Sequence, residues 1–433
     1  MSFAVPVILG GMFQQLYSIV DAIVVGRFLG DLPLSGISIA SPVMDILYAL
    51  LLGASAGVGV LVGQLFGAEN WDKLTRVHAT ALLGGCTLTL LLSALGFAFA
   101  ERILLAQGAD AASVAQAMRY LNVILGGLVF CFLYNYCAAV LRASGDSKTP
   151  FVVLLASSTL HALLDLLLCG ALHLGIRGVA VSTVFCQIVS TLWFAAYIRA
   201  RCPRLCLTRA ALRADPSLFG TILGYAWAAA LQQAVLMIGR FLVQGMLTPL
   251  GGTVVTGYNM SMRVEQFLFC FKQGISEAMV VGIAQNRGHG SRERVRLFYR
   301  DGARAEAALA LAVGAGVFLA APRIIAVFSD NAAVIAAGAR YTRTMAFPYL
   351  FAFLGESIQA YFRGIGRLRL TMVSSSLQVV LRIVLSYFLI ARWGIYGICA
   401  AVVSGWALLV MIEGGYSLRV VRARENAQGG IAL

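Results

Sequence analysis

The sequence predicts an all-α polytopic membrane protein of twelve transmembrane helices arranged as two pseudo-symmetric six-helix lobes. Three observations carry this. Sixty per cent of the 433 residues are hydrophobic and only 12% are charged, with a mean hydropathy of +0.85, far from soluble globular usage. At about 20 apolar residues per crossing, a chain of this length holds on the order of twelve spans. Sequence patterns in the first half recur in the second at a nearly constant offset.

Taken in order, the first six apolar runs extend from Phe3–Leu29 to Gly178–Ile198, and six more from Leu218–Met246 to Tyr396–Val420, with Ala333–Phe362 as the tenth. The first run continues past signal-peptide length, contains Asp21 and lacks an A-x-A site, so it reads as a span and not a cleaved leader. The longest polar stretch, Arg199 to Pro216, divides the chain into residues 1–200, an inter-lobe loop at 201–216, and residues 217–433. Gln64-x-x-Gly67 recurs as Gln285-x-x-Gly288, Arg142-x-x-Gly145 as Arg363-x-x-Gly366, and Gly175-Ile-x-Gly178 as Gly394-Ile-x-Gly397. An even number of spans per half gives the repeats the same orientation, and substrate in such a body sits between the lobes.

The net charge of +14 does not point to nucleic acid. Basic residues cluster in alternate loops, such as Lys73/Arg76, Arg142/Lys148 and Arg199 to Arg213, while the intervening loops hold one each or none. That asymmetry places both termini in the cytoplasm. Seven of the nine cysteines lie in apolar spans as small core residues. Cys202 and Cys206 share a loop without the Cys or His partners a zinc site needs. No cofactor and no metal is expected, and the four scattered histidines give no enzyme signature.

Ionisable residues inside the spans carry the functional signal. A charge at mid-membrane costs about 2.5–3.5 kcal/mol on insertion scales, and Asp21 and Asp165 occupy separate apolar runs. Two buried acids point to a cation or proton site; the alternative is that neighbouring hydroxyls or arginines satisfy each one separately. His161, one turn from Asp165, faces the same way, as a proton relay or as a hydrogen-bonded core histidine. In the second half, Arg240, Glu265, Lys272, Glu277, Glu356, Arg382 and Glu413 are expected to form ion pairs within their lobe, and Glu265 and Lys272, seven apart, to pair with each other. Asp45 stands alone on the second span, facing a substrate cleft. Tyr17, Tyr134, Met237 and Met262 suit a greasy cavity, because Met adapts and aromatic faces attract organic cations. Packing is the plain alternative for each.

Several stretches together resemble the multidrug and toxic compound extrusion (MATE) family of bacterial exporters over essentially the whole chain. They are Val25-Gly-Arg-Phe-Leu-Gly30 after Asp21, Gln64-Leu-Phe-Gly-Ala-Glu-Asn70, Leu141-Arg-Ala-Ser-Gly-Asp-Ser-Lys-Thr-Pro150, Gly282-Ile-Ala-Gln-Asn286 and Tyr361-Phe-Arg-Gly-Ile-Gly366. The resemblance implies two six-helix bundles in a V and alternating-access antiport of organic, cationic or amphipathic compounds, drugs included, against inward protons or sodium. It implies a monomer in the bilayer with small-molecule partners and no nucleic acid. It also implies an amino-lobe cation site at Asp21, Asn135, His161, Asp165 and Thr183, and a bend of the first helix at Pro6; a proline tolerated in a first turn is the alternative there. Relatives carry Asn where this chain has His161, and an imidazole is a poorer sodium ligand than an amide oxygen, so protons are favoured over sodium. A lipid or lipid-linked glycan flippase of the same wider superfamily is the second reading.

Overall fold

The computed structural model describes residues 2–106, 110–208 and 211–429, and the side chains of these except 18–25, 27, 31, 248 and 418–429. Among the described residues the chain is helical throughout, without strands. The helices are α1 (Ala4–Leu29), α2 (Asp31–Gly67), α3 (Trp71–Ala106), α4 (Ala111–Ala143), α5 (Lys148–Asp165), α6 (Ile176–Arg201) and α7 (Pro216–Gly245), followed by α8 (Gly252–Gly288), α9 (Arg292–Ala326), α10 (Ala332–Met345), α11 (Tyr349–Gly364), α12 (Leu368–Trp393) and α13 (Ile395–Gly429). Ten helices among the described residues are long and apolar enough to cross a bilayer. The chain is a multi-pass membrane protein.

Local chemistry sets the boundaries. Asp110 caps α4 by accepting from the Ser113 N–H at 2.9 Å, which holds its carboxyl below the usual range. Asn331 caps α10 through the N–H groups of Ala333 and Val334. Asp215, ahead of α7, accepts from the Ser217 hydroxyl and N–H, which lower its pKa, and pairs with Arg76 at 3.1 Å.

Thirteen helices arise from twelve spans because the tenth apolar run, expected as one helix over Ala333–Phe362, is two. The break falls at Ala346 and Phe347, ahead of Pro348. Proline has no N–H to donate and its ring clashes with the carbonyl four residues back, so the helix ends and a second one starts. The fifth run also departs from a uniform helix. Beyond Asp165 the backbone widens into a π-turn over Leu166–Ala171, closed by the Leu172 N–H on the Leu167 carbonyl at 2.9 Å.

By contacts the chain forms two compact units. Unit 1 comprises Met1–Gln233 with Ala284–Gly290, and unit 2 comprises Ala234–Ile283 with Ser291–Leu433. In unit 1, α2 packs along α4, α4 against α3 and α6, and α5 between α1 and α6. Leu121, Leu125, Leu128, Phe132, Tyr136 and Phe194 form the centre of its core. In unit 2, α9 packs on α10 and α11, and α12 along α13, around Tyr258, Tyr341, Tyr349 and Phe353. The outer face of α3 is apolar and open: Leu88, Leu90, Leu91 and Leu95 are 48–59% exposed. In a membrane that face meets lipid, so its exposure carries no penalty.

The repeated glycines have backbone reasons. Gly175 and Gly394 start α6 and α13 with φ of +62° and +57°, a region costly for residues with a Cβ. Gly67 at the end of α2 lies against the Gln285 carbonyl, and Gly288 at the end of α8 lies against the Gln64 carbonyl. The two copies of the Gln-x-x-Gly pattern therefore cross each other reciprocally, backbone on backbone. Gln285 also donates to the Ala143 carbonyl at 2.8 Å.

A methyl group at either crossing glycine overlaps a carbonyl oxygen that has nowhere to go. Gly67→Ala or Gly288→Ala is expected to destabilise the protein by about 1–3 kcal/mol through overpacking. Lower thermal unfolding midpoints for both variants in detergent are the expected result, and unchanged midpoints would show that the crossing is loose.

Candidate functional site

Three helices of unit 1 converge on one buried polar cluster. His161 and Asp165 stand one turn apart on α5, and Ser182 and Thr183 are adjacent on α6. Tyr17 reaches in from α1. His161 is 7% and Asp165 1% exposed, so neither shares its charge with water.

The Ser182 and Thr183 hydroxyls of the cluster each lie between a backbone carbonyl and an ionisable side chain. Thr183 has one hydroxyl proton, and its hydroxyl lies 2.9 Å from the Val179 carbonyl, an acceptor with no proton of its own. With the Thr183 proton directed at that carbonyl, its oxygen, 2.8 Å from His161 Nε2, accepts from the ring nitrogen; with the proton turned to Nε2, the tautomer is the opposite one. Tyr17 contacts the opposite nitrogen, Nδ1, through its hydroxyl, with the two rings edge to face at a centroid separation of 5.3 Å. Ser182 contacts Asp165 Oδ1 very closely, and the same hydroxyl lies 2.8 Å from the Val179 carbonyl. One serine proton thus has two acceptors to choose between.

The remaining carboxylate oxygen is the distinctive atom. Asp165 Oδ2 lies 2.8 Å from His161 Nδ1, yet has no hydrogen-bond partner of acceptable alignment among the described residues. A neutral imidazole that accepts from Tyr17 at Nδ1 leaves Oδ2 unmatched. One added proton between Nδ1 and Oδ2 turns the same pair into a neutral or zwitterionic unit. An isolated buried carboxylate costs several kcal/mol, which makes the matching of Oδ2 the largest energetic question in the cluster. The π-turn begins at the residue after Asp165. Such turns interrupt helices frequently at functional positions.

The structure brings together three of the five residues expected at the amino-lobe site: His161, Asp165 and Thr183. Asn135 is half-buried and donates to the Cys131 carbonyl of its own helix at 2.8 Å; among the described residues it makes no hydrogen bond to the cluster. The Asp21 side chain lies outside the described residues. Pro6 occupies the first turn of α1, where a missing N–H leaves no bond unmade. Ser182 went unnoticed in the sequence, because a serine in an apolar span carries no distinguishing signal. Of the residues assigned to a cavity, Tyr17 belongs to this cluster, Tyr134 packs on Phe194 in the unit 1 core, Met262 packs against the unit 2 core, and Asp45 and Met237 are exposed.

The expected Glu265–Lys272 pair is not formed as such. Lys272 Nζ instead reaches Glu356 at 3.1 Å on α11 and lies over the Phe269 ring at 4.5 Å. Same-face spacing brings two side chains within reach, but a carboxylate on a neighbouring helix with two further donors is the better partner. Elsewhere, the Gly145 to Thr149 turn is held by Asp146, which accepts from Thr149 and from the Tyr197 hydroxyl. A cavity of about 630 Å³ opens beside it, lined by Lys148, Arg201 and Arg204 over Phe3 and Phe66. None of the buried acids lines that cavity.

Comparison with known proteins agrees with this layout. The MatE family profile matches residues 6–167 and 228–388, two stretches whose starts repeat the spacing of the sequence patterns. The chain is 23% identical to the multidrug export protein MepA of Staphylococcus saprophyticus, over 95% of this chain and 89% of that one. It is 22% identical to the probable multidrug resistance protein NorM of Thermotoga maritima, over 98% and 94%. Its fold matches a structure described as the outward-facing conformation of a multidrug resistance MATE family transporter of the MOP superfamily, with a TM-score of 0.90, 20% identity, and coverage of 98% of this chain and 95% of that one.

The His161 tautomer has a direct readout. Nitrogen NMR of labelled histidine should find His161 protonated at Nε2 in its neutral form, with Thr183→Val shifting that resonance and Tyr17→Phe shifting Nδ1. A neutral His161 protonated at Nδ1 would mean that Thr183 donates to Nε2.

Proposed function

The chain belongs to the MatE family of membrane transporters, and on that footing we propose that it is an antiporter that exports organic, cationic or amphipathic compounds, drugs among them, in exchange for inward protons. The relatives named for multidrug export support the substrate class. The observation that carries the coupling reading is the unmatched Asp165 Oδ2 facing His161 Nδ1 at 2.8 Å, in a cluster shut from water.

The steps follow from the hydroxyl geometry. With Asp165 ionised, the Ser182 hydroxyl points to Oδ1. A proton arriving from outside lodges between Oδ2 and Nδ1, while the Tyr17 hydroxyl turns from donor to acceptor at that nitrogen, and cancels the carboxylate's charge. Ser182 is then released to its own helix at the Val179 carbonyl, so the α5–α6 contact loses a charge-assisted bond, of the kind worth about 1.5–3 kcal/mol. A change of that size shifts a two-state equilibrium by one to two orders of magnitude. Loss of the proton to the cytoplasm restores the bond. Asp21, four positions on from Tyr17, would be the second acid of the site, and Pro6 the bend that accompanies protonation. Sodium fits the described groups less well: a hard cation seeks several oxygen ligands, and here an imidazole occupies the place beside the carboxylate. The alternating basic loops support an inner-membrane location with both termini in the cytoplasm, and we take the working unit to be the monomer.

The test is efflux of a fluorescent organic cation from proteoliposomes under an imposed proton or sodium gradient. Efflux driven by protons, and falling in Asp165→Asn to the level of protein-free liposomes, is the expected result. His161→Asn should restore a measurable response to sodium if the imidazole is what disfavours that ion. Efflux driven by sodium alone in the unaltered protein would overturn proton coupling.

A further inference from the structure

Unit 2 contains two glutamates that the coupling reading does not use. Glu306 on α9 and Glu413 on α13 are each 0% exposed. Among the described residues neither forms an ion pair. Glu306 Oε2 accepts from the Ser357 hydroxyl at 2.5 Å, and its Oε1 has no hydrogen-bond partner. Glu413 Oε1 accepts from the Ser374 hydroxyl at 2.5 Å, and its Oε2 has none.

The charged groups around them are few. Lys272 on α8 and Arg363 on α11 both reach Glu356, and Ser276 donates to the same carboxylate. Both cations are therefore committed to Glu356. Glu306 lies within electrostatic reach of Glu356, Lys272 and Arg363, and Glu413 within reach of Arg363 and Glu356, with Gln359 beside it. Tyr299 on α9 lies near both glutamates. With every acid of the group ionised, three carboxylates stand against two cations, and two of the three carboxylates belong to residues that are 0% exposed. One proton closes that difference.

The serines show where such a proton goes. The Ser357 hydroxyl lies 3.2 Å from the Phe353 carbonyl, and that of Ser374 lies 3.1 Å from the Thr371 carbonyl. When a glutamate is protonated its O–H donates to the serine oxygen, and the serine turns its own proton to the carbonyl. When the glutamate is ionised the serine turns back to it. Both states are fully bonded at that oxygen without movement of a heavy atom.

We propose that Glu306 and Glu413 form a proton-binding site of unit 2, which holds at least one proton at rest and exchanges it when the unit opens to water. The ligand is the proton, and the site is separate from Asp165. The inference stands whether or not Asp165 couples transport.

The test is infrared spectroscopy of the full-length protein in lipid at neutral pH, reading the C=O stretch of protonated carboxylic acids in H2O and D2O. The double variant Glu306→Gln/Glu413→Gln should lose the intensity of at least one carboxylic acid per chain, while Asp165→Asn leaves that share in place. A folded double variant with the full unaltered intensity would overturn the proposal. Should the glutamine variants fail to fold, Ser357→Ala and Ser374→Ala serve instead. Removing the hydroxyl from a protonated partner shifts its C=O band, and the absence of any shift in both variants would overturn the proposal equally.

Discussion

A carboxylate surrounded by helices in a bilayer must be matched by its immediate neighbours, and in this protein the matching group is a serine hydroxyl with a second acceptor behind it. Asp165, Glu306 and Glu413 each meet that arrangement. A lysine or arginine in place of the serine would fix the acid as an anion, as Lys272 and Arg363 fix Glu356. A hydroxyl leaves the choice open, because it bonds the anion as donor and the acid as acceptor. The polar interior is thus divided into a part matched by cations and parts matched by hydroxyls.

Geometry in the surrounding helices keeps these groups where they are. The close passage of α5 between α1 and α6 sets Tyr17 and Thr183 on opposite nitrogens of one imidazole. The π-turn beyond Asp165 changes the helix register after the acid and not before it, so His161 and Asp165 keep the four-residue spacing that aligns them. In unit 2 the short α11 supplies Glu356, Ser357, Gln359 and Arg363 from less than three turns.

Much of this was legible in the chain itself. Composition and the alternating basic loops define the class, and Asp165 and His161 stand out because ionisable residues are scarce in apolar runs. Thr183 followed from the family resemblance. What could not be read were the partners supplied by other helices. Ser182, Ser357 and Ser374 look like any small polar residue in a span until the fold sets a carboxylate against them. Glu306 lies inside the ninth apolar run beside several arginines and was not singled out among the ionisable residues there. The Glu265–Lys272 expectation used the helix period correctly but had no means of weighing a carboxylate on another helix. The break before Pro348 had its signal in plain view; hydropathy averaged over a window passes across a proline that backbone geometry does not tolerate.

The reciprocal crossing of the two Gln-x-x-Gly segments has a different kind of consequence. A contact in which each copy of a motif presents the same surface to the other is isologous, like the interface of a twofold dimer. A single half-length ancestor could make it with a second molecule of itself, before any fusion joined the genes. It also ties the histories of the halves together at this point. Elsewhere the repeats are free to diverge one residue at a time, but at Gly67 and Gly288 a side chain gained by either copy meets the peptide backbone of the other.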